Sequence, residues 1–161
     1  MADPPFRVLF VCWGNICRSP AGENVFRHQA AAAGLAGRVA CDSAGTIGCH
    51  AGKSPDARMA ETLRRRGVPV SGQARGFSAR DFSDFDLILT MDGDNLADVL
   101  ALARDEEHRV KVRPFTDFCR KFDHAEVPDP YYGGDAGFEL VADLIEDGVA
   151  GLLDHIRSGM S

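Results

Sequence analysis

A short stretch near the start of the chain brings together a thiol, a guanidinium and a glycine. Residues 12–19 read Cys-Trp-Gly-Asn-Ile-Cys-Arg-Ser; they follow the apolar run of residues 8–11 and precede Pro20. The apolar run predicts a buried strand that ends at Cys12, and Ser19 with Pro20 predicts the N-cap and first turn of a helix. A tight loop is therefore expected to join a strand to a helix N-terminus.

This placement suits the binding of a tetrahedral oxyanion such as phosphate. The free N–H groups and the positive dipole end of a helix attract anions, and Gly14 permits the backbone to curl around one. Arg18 offers a fork of donors that can hold two oxygens at once. Cys12, beside the helix N-terminus and Arg18, is expected to be a thiolate and hence a nucleophile. The phosphate loop of nucleotide hydrolases is not matched, because no Gly-Lys-Ser/Thr follows the glycine.

The remainder of the chain predicts the scaffold for this loop. Strand-like apolar runs alternate with helical patterns, which is typical of βαβ units and a parallel sheet. We expect an α/β fold, a single domain over residues 1–161, built as a three-layer sandwich with a four-stranded parallel sheet and helices on both faces. Strands are predicted at residues 7–11, 39–44, 85–91 and 110–113, and helices at 19–33, 54–67, 94–103 and from Phe138 to Ile156, whereas 68–77 are hard to assign. Cys12, Ser43 and Asp92 then lie at or just past strand carboxyl ends and can face one crevice.

Composition limits the classes of partner. The 161 residues carry 18 basic and 24 acidic side chains, a net charge of −6, which disfavours nonspecific binding to nucleic acid or to an anionic membrane surface. The N-terminal residues lack the features of a signal peptide, and the odd number of five cysteines does not suggest a disulfide framework. We therefore expect a cytoplasmic protein with reduced thiols.

The loop resembles that of the low molecular weight protein tyrosine phosphatases, which carry the pattern Cys-x-Gly-Asn-x-Cys-Arg-Ser near the N-terminus. The similarity continues through residues 42–46 (Asp-Ser-Ala-Gly-Thr), Met91-Asp92 with Asn95-Leu96, and 129–133 (Asp-Pro-Tyr-Tyr-Gly). It covers nearly the whole chain. The resemblance implies a phosphatase that acts on phosphotyrosine and small aryl phosphates through a phosphocysteine on Cys12.

Such a reaction needs a proton for the leaving oxygen, and Asp129 is the candidate donor. It lies between Pro128 and Pro130, which hold the backbone extended. Cys12, Arg18 and Asp129 are thus the expected catalytic residues. No metal or other cofactor is expected, since Arg18 and the loop amides supply positive charge.

The resemblance implies further roles. Asn15, Ser19 and Ser43 would hold the shape of the loop, Asp92 would support it, and Tyr131 and Tyr132 would form an aromatic wall for the substrate ring. The other expected phosphate- or substrate-binding residues are Trp13, Gly14, Ile16 and Cys17. Cys17 could also form a reversible disulfide with Cys12 under peroxide. The expected partner is a phosphotyrosine-containing protein, with a tyrosine kinase as one candidate, and the expected assembly is a monomer or weak dimer.

Two departures from the family pattern concern the surroundings of the loop. Gly72 stands where relatives usually carry a histidine that supports the loop, and Cys49-His50 stands where many carry an aromatic residue. Three other interpretations stay open: an arsenate reductase on the same scaffold, which Asp129-Pro130-Tyr131-Tyr132 disfavours, a protein arginine phosphatase, which Ile16 disfavours, and a phosphate-binding module without turnover.

Overall fold

The structure is a computed structural model, and it describes residues 3–130 and 134–160. The elements, in chain order, are β1 (Phe6–Cys12), α1 (Arg18–Ala32), β2 (Val39–Gly45), α2 (Ala57–Arg65), α3 (Asp81–Asp84), β3 (Leu87–Thr90), α4 (Gly93–Ala101), α5 (Glu106–Arg109), β4 (Val112–Pro114), a 3₁₀ turn (Phe115–Phe118) and α6 (Gly134–Ser158). None of the helices in these two ranges is long and apolar enough to cross a membrane.

The four strands form one parallel sheet in the order β2-β1-β3-β4. β1 lies inside the sheet, between β2 and β3, and its apolar residues 8–11 are fully buried on both faces of the sheet. Cys12 pairs with Gly45 of β2, and Val11 pairs with Thr90 of β3. The chain crosses from β1 to β2 on one side and later returns to β3 on the other, so the carboxyl end of β1 lies at a topological switch point, where open α/β sheets bind ligands.

Helices cover both faces of the sheet, so the expected three-layer arrangement is confirmed. Val8 and Phe10 pack toward the larger core, which is completed by apolar residues of α1, α2 and α6. Leu9 and Val11 point to the opposite face, where they join a smaller core with Phe82 of α3 and Val99 of α4. Alternate residues of β1 thereby anchor the loop after Cys12 from both sides.

Two helix starts differ from the sequence prediction. α1 begins at Arg18 with Cys17 at the N-cap position, so the assignment of Ser19 as N-cap is wrong; its hydroxyl bonds side chains of the loop instead. α2 begins at Ala57, three residues later than the Ser-Pro signal suggested. Asp56 caps it, because its carboxylate accepts from the N–H groups of Arg58 and Met59.

The segment that the sequence left unassigned, residues 68–77, is an extended strap along the end of β2. Gly45 N–H donates to the carbonyl of Arg75 at 2.9 Å, and Phe77 N–H donates to the carbonyl of Gly45 at 2.7 Å. The short helices α3 and α5 were also missed, because four residues are too few to show a helical period.

Arg66, just after α2, ties that helix to α6, and the hydrogen-bond partners of its guanidinium all lie on α6. Its guanidinium donates to Glu139 at 2.5 Å and to Asp143 and Glu146 at 3.0 Å each. These carboxylates lie along one face of α6, so a single arginine serves a ladder of three acidic side chains.

Asp147 of α6 fixes the chain that follows the 3₁₀ turn. Its carboxylate, which is 7% exposed, accepts from the backbone N–H groups of Arg120, Lys121 and Phe122 at 3.0, 2.9 and 3.1 Å. Burial alone would raise the pKa of Asp147, but these three donors favour the charged form and hold the pKa below its ordinary value. These hydrogen bonds from backbone N–H groups to one carboxylate hold the segment where no regular secondary structure does so.

We expect Asp147→Ala to lower the free energy of unfolding by roughly 2 kcal/mol at pH 7, because it leaves buried N–H groups without an acceptor. Since the folded pKa is depressed, the contribution is present above the unfolded pKa, near 4, and is lost as the pH falls through the lower folded value. Urea unfolding at pH 7 and pH 3 should therefore show the variant approaching the wild type in acid. The control is Asp154→Ala, which breaks an exposed pair with Arg120 and should cost less than about 1 kcal/mol; equal losses in both variants would contradict this account.

Candidate active site

The loop between β1 and α1 turns its carbonyl groups outward. The carbonyls of Cys12, Trp13 and Ile16 accept from the N–H groups of Thr46, Ile47 and Asp56 at 2.9, 3.1 and 2.7 Å. All three donors lie on segments that flank the loop. Because the N–H of a trans peptide points away from its carbonyl, we expect the N–H groups of these peptides to face the cavity at the start of α1.

Asn15 gives the loop its curl. Its φ of 57° places it in the left-handed region, where it is the one non-glycine residue among residues 3–130 and 134–160. Asparagine tolerates this region better than most side chains, but the conformation persists only when the surroundings hold it. The side chain is buried and makes three hydrogen bonds: its amide nitrogen donates to Ser19 Oγ at 2.8 Å and to Ser43 Oγ at 2.9 Å, and its amide oxygen accepts from the N–H of Arg75 at 2.9 Å.

These bonds have a fixed direction. A backbone N–H can only donate, so Arg75 orients the amide oxygen of Asn15 toward itself and the nitrogen toward the two serines. Ser19 Oγ then accepts from Asn15, and its own proton is available for the sulfur of Cys12, 3.0 Å away. The carbonyl of Ala44 is a more distant alternative acceptor at 3.4 Å. A hydroxyl donor aimed at the sulfur stabilises the thiolate form.

Ser43 ends the other branch of this network. Its hydroxyl accepts from Asn15 and donates to Glu23 Oε1 at 2.5 Å. The other oxygen of Glu23 accepts from Arg27 at 2.7 Å. The carboxylate also faces Gly72, the position of the missing histidine, at 3.7 Å from where a Cβ would lie. In this chain Glu23 and Arg27 complete the branch.

Arg18 is the buried cation of the site, with its side chain 3% exposed. It donates to Asp92 Oδ2 at 2.6 Å and to the carbonyl of Val127 at 3.1 Å, and it lies 3.7 Å from Asp129 Oδ2. Burial alone would lower the pKa of Arg18, but the neighbouring Cys12 and Asp92 raise it above its ordinary value, so the guanidinium stays charged. Asp92 is itself fixed, because its other oxygen caps α4 by accepting from Asn95 N–H at 2.8 Å.

A cavity of about 290 Å³ collects these groups. Its walls comprise Cys12, Trp13, Gly14, Ile16, Cys17, Arg18, Cys49, His50 and Asp129. Trp13 is half exposed at the rim, and the side chain of Asp129 is 40% exposed. A thiol, a buried guanidinium and a carboxyl group therefore share one small concave space, which suits transfer of an anionic group to sulfur.

Most of the residues singled out in the sequence come together here. Ser43 and Asp92 were expected to face the same crevice as Cys12, but neither lines the cavity. Asp92 bonds Arg18 of the cavity wall, whereas Ser43 bonds Asn15 and Glu23 behind it. Cys17 lies in the cavity wall, and burial together with the charge of Asp56 raises the pKa of its thiol. Tyr131 and Tyr132 lie outside the described residues.

The sequence interpretation missed several contributors. The sequence singles out Cys49 and His50 only as a departure from the family pattern, and the structure places both in the cavity wall. A Cβ on Gly14 would come within 2.9 Å of His50 Cδ2, so the loop approaches the histidine as closely as glycine allows. The donors and acceptors on Arg75 and Val127 are backbone groups, which leave no residue-type signal. Within the part of the chain that the structure describes, no cluster of three or more His, Cys, Asp or Glu side chains could hold a metal ion.

Comparison with known proteins gives a consistent result. Residues 7–160 match the family model described as low molecular weight phosphotyrosine protein phosphatase. A protein of Synechocystis sp. is 54% identical over 150 residues, which cover 93% of this chain and 96% of that protein. The low molecular weight protein-tyrosine-phosphatase YfkJ of Bacillus subtilis is 43% identical over 153 residues, 93% of this chain and 95% of that protein.

Solved structures agree. The crystal structure of YfkJ matches with a TM-score of 0.93 at 40% identity and covers all of both chains. A protein tyrosine phosphatase from Entamoeba histolytica, solved with Hepes in its active site, matches with a TM-score of 0.93 at 40% identity over 97% of this chain and 99% of that one.

The network around Asn15 predicts how the loop binds inorganic phosphate. Asn15→Gly keeps access to the left-handed backbone region but loses the three side-chain hydrogen bonds. Asn15→Ala loses the three hydrogen bonds and also adopts the left-handed region less readily. We expect phosphate affinity to fall about tenfold in the glycine variant and by a further factor of about five in the alanine variant, since left-handed backbone costs ~1 kcal/mol with a Cβ. Quenching of Trp13, the one tryptophan of the chain, would report binding.

The matched control for Asn15 is Asp147→Ala. Asp147 is also buried and also holds a loop by hydrogen bonds, but its donors are the N–H groups of Arg120, Lys121 and Phe122, none of which lines the cavity. It should lower stability and leave phosphate affinity intact. Wild-type affinity in Asn15→Ala would show that the loop keeps its shape without this side chain.

Proposed function

This chain belongs to the low molecular weight phosphotyrosine protein phosphatase family, and we propose that it hydrolyses phosphotyrosine in proteins, and small aryl phosphates, through a phosphocysteine on Cys12. The observation that supports this most directly is the shared cavity wall of Cys12, Arg18 and Asp129. A nucleophile, a fixed cation and a proton donor are the three groups that phosphoester cleavage without a bound metal requires.

In the first step of this proposal the Cys12 thiolate attacks phosphorus in line with the leaving oxygen. Arg18 and the loop amides bind the equatorial oxygens and stabilise the charge that they carry in the transition state. The S–P bond forms as the P–O bond to the aryl group breaks. The proton on Asp129 passes to the departing oxygen, so the leaving group exits as a neutral phenol.

In the second step water attacks the phosphocysteine. Asp129, now a carboxylate, takes a proton from that water, the S–P bond breaks, and inorganic phosphate and the Cys12 thiolate are regenerated. The hydroxyl of Ser19 donates a hydrogen bond to the sulfur of Cys12, which stabilises the thiolate as it leaves phosphorus in this step. The same bond stabilises the thiolate in the free enzyme before the next substrate binds. The same three groups thus serve both steps.

The cavity favours an aryl substrate. Trp13 at the rim supplies a flat apolar surface, and Ile16 in the wall adds an aliphatic one, so an aromatic ring can stack beyond the phosphate. Tyr131 and Tyr132 are proposed as a further wall. The partners would be phosphotyrosine-containing proteins, with a tyrosine kinase as a candidate, and the proposed site of action is the cytoplasm, where free thiols stay reduced.

The acid role of Asp129 is best tested with two leaving groups. We expect Asp129→Asn to slow phenyl phosphate hydrolysis by roughly a hundredfold, the usual scale for a general acid, and to slow p-nitrophenyl phosphate much less, because nitrophenolate leaves without a proton. Asp123→Asn, on the same loop but outside the cavity, is the matched control and should leave both rates unchanged. Equal losses on the two esters would remove the acid assignment.

The nucleophile is tested in parallel. Cys12→Ser should abolish turnover and keep phosphate binding, since the hydroxyl is a far weaker nucleophile in the same cradle. Phosphotyrosine, phosphoserine and phosphoarginine should be compared in the wild type. Release from phosphoarginine rather than phosphotyrosine would favour an arginine phosphatase, and thioredoxin-dependent turnover of arsenate would favour a reductase.

Cys17 is proposed as the resolving thiol when Cys12 is oxidised. Burial raises the pKa of the Cys17 thiol, so peroxide should react first with Cys12, giving a sulfenic acid and water. Cys17 then displaces a second water molecule and forms the disulfide. We expect peroxide-treated wild type to recover activity on addition of dithiothreitol. Cys17→Ser should recover much less, because without the resolving thiol the sulfenic acid on Cys12 is oxidised further to a sulfinic acid. Equal recovery in both proteins would exclude the disulfide; Cys119→Ser is the control.

A further inference from the structure

Arg75 stands outside the loop and outside the cavity, yet it provides one of the three hydrogen bonds that hold Asn15. It lies on the strap of residues 68–77, which contains no regular strand or helix. Its backbone N–H is the group that sets the direction of the network, because it can only donate. The position of this one N–H therefore decides whether the proton of Ser19 is available to Cys12.

The side chain of Arg75 fixes that N–H in place. Its guanidinium donates to both oxygens of Asp81 at 3.1 Å each, and its Nε donates to Asp42 at 3.0 Å. Asp81 is nearly fully buried and is also held by the N–H of Ser78 at 2.9 Å. This bidentate ion pair between Arg75 and the buried carboxylate of Asp81 is strongly directional, because two parallel N–H···O bonds fix the orientation of the guanidinium.

The backbone of the strap is held at the same point. The carbonyl of Arg75 accepts from Gly45 N–H at 2.9 Å, and Gly76 forms a parallel bridge with Gly45. A Cβ on Gly45 would lie 2.8 Å from the carbonyl oxygen of Trp13, so strand end, strap and loop are in close contact. Movement of the strap would be passed directly to the loop.

The guanidinium itself does not face the substrate. Arg75, Asp42 and Asp81 line a separate surface groove of about 600 Å³, whose lining includes none of the cavity residues. Any effect of this side chain on the reaction must therefore pass through the backbone of the strap, which contacts the loop at Asn15 and through Gly45.

From this arrangement we propose that Arg75 is a positioning residue: its ion pairs with Asp81 and Asp42 hold the N–H that orients Asn15, and through Ser19 they keep Cys12 in its nucleophilic form. This proposal rests on the proposed function for its kinetic consequences. The effect on the sulfur of Cys12 can be measured without turnover.

The test compares Arg75→Met, which keeps length and removes the guanidinium, with Arg75→Lys, which can pair with one carboxylate. We expect kcat on p-nitrophenyl phosphate to fall about tenfold in Arg75→Met, with KM changed much less, and to recover in part in Arg75→Lys. In the same variants the rate of alkylation of Cys12 by iodoacetate should reach its half-maximum at a higher pH than in the wild type.

The matched control is Arg66→Met, which also removes an arginine paired with several carboxylates. It should lower the unfolding temperature and leave kcat and the alkylation profile unchanged. Because Arg75→Met leaves the buried Asp81 without a cation, the double variant Arg75→Met/Asp81→Asn provides a second, better-folded form and should show the same loss of kcat.

A wild-type alkylation profile and kcat in folded Arg75→Met, or an equal loss of kcat in Arg66→Met, would overturn the proposal. Failure of the wild type to hydrolyse any phosphoester would instead overturn the proposed function, and the alkylation profiles would still decide the role of Arg75.

Discussion

The site depends on one constrained residue, Asn15, whose left-handed backbone turns the loop and whose amide holds it there. Asparagine tolerates that conformation better than most residues, and the three hydrogen bonds to Ser19, Ser43 and Arg75 hold it there. The same bonds orient the donor that faces the sulfur of Cys12. Curvature of the anion cradle and orientation of the donor that faces the nucleophile therefore both depend on this one residue.

The second demand on the fold is a buried arginine. Removing a guanidinium from water costs several kcal/mol unless nearby groups replace the lost hydration. For Arg18 this cost is offset by the hydrogen bonds to Asp92 and the carbonyl of Val127 and by the nearby charge of Asp129. With Asp92 itself held as the cap of α4, the cation is fixed before any substrate arrives. The chain has a net charge of −6, yet its site contains a local positive centre, because Asp92 and Asp129 hold the guanidinium of Arg18 in place.

Sequence reasoning recovered the fold class and the placement of the thiol and the guanidinium, because these follow from strong local signals. The run at residues 8–11 is long and apolar, and the long periodic pattern of α6 leaves few alternatives. It failed where a side chain served the tertiary structure. Ser19 has the residue type of an N-cap, but the sulfur of Cys12 and the amide of Asn15 claim its hydroxyl, and Asp56 rather than a serine caps α2. Local propensity cannot register such competition, since the competing groups are distant in sequence.

The strap of residues 68–77 shows why a segment without a periodic pattern can still determine function. Val68 and Ala74 of the strap are buried and Phe77 packs against the smaller core, but these residues follow no helical or strand period. The position of Arg75 within the strap is held by ion pairs and by hydrogen bonds to Gly45. Such bonds are directional and short-ranged, whereas apolar packing tolerates small displacements. The N–H of Arg75 must point at the amide oxygen of Asn15, and the bidentate ion pair with Asp81 fixes this direction more closely than apolar packing would. The least predictable segment of the described chain is consequently the one that sets the direction of hydrogen bonding behind the nucleophile.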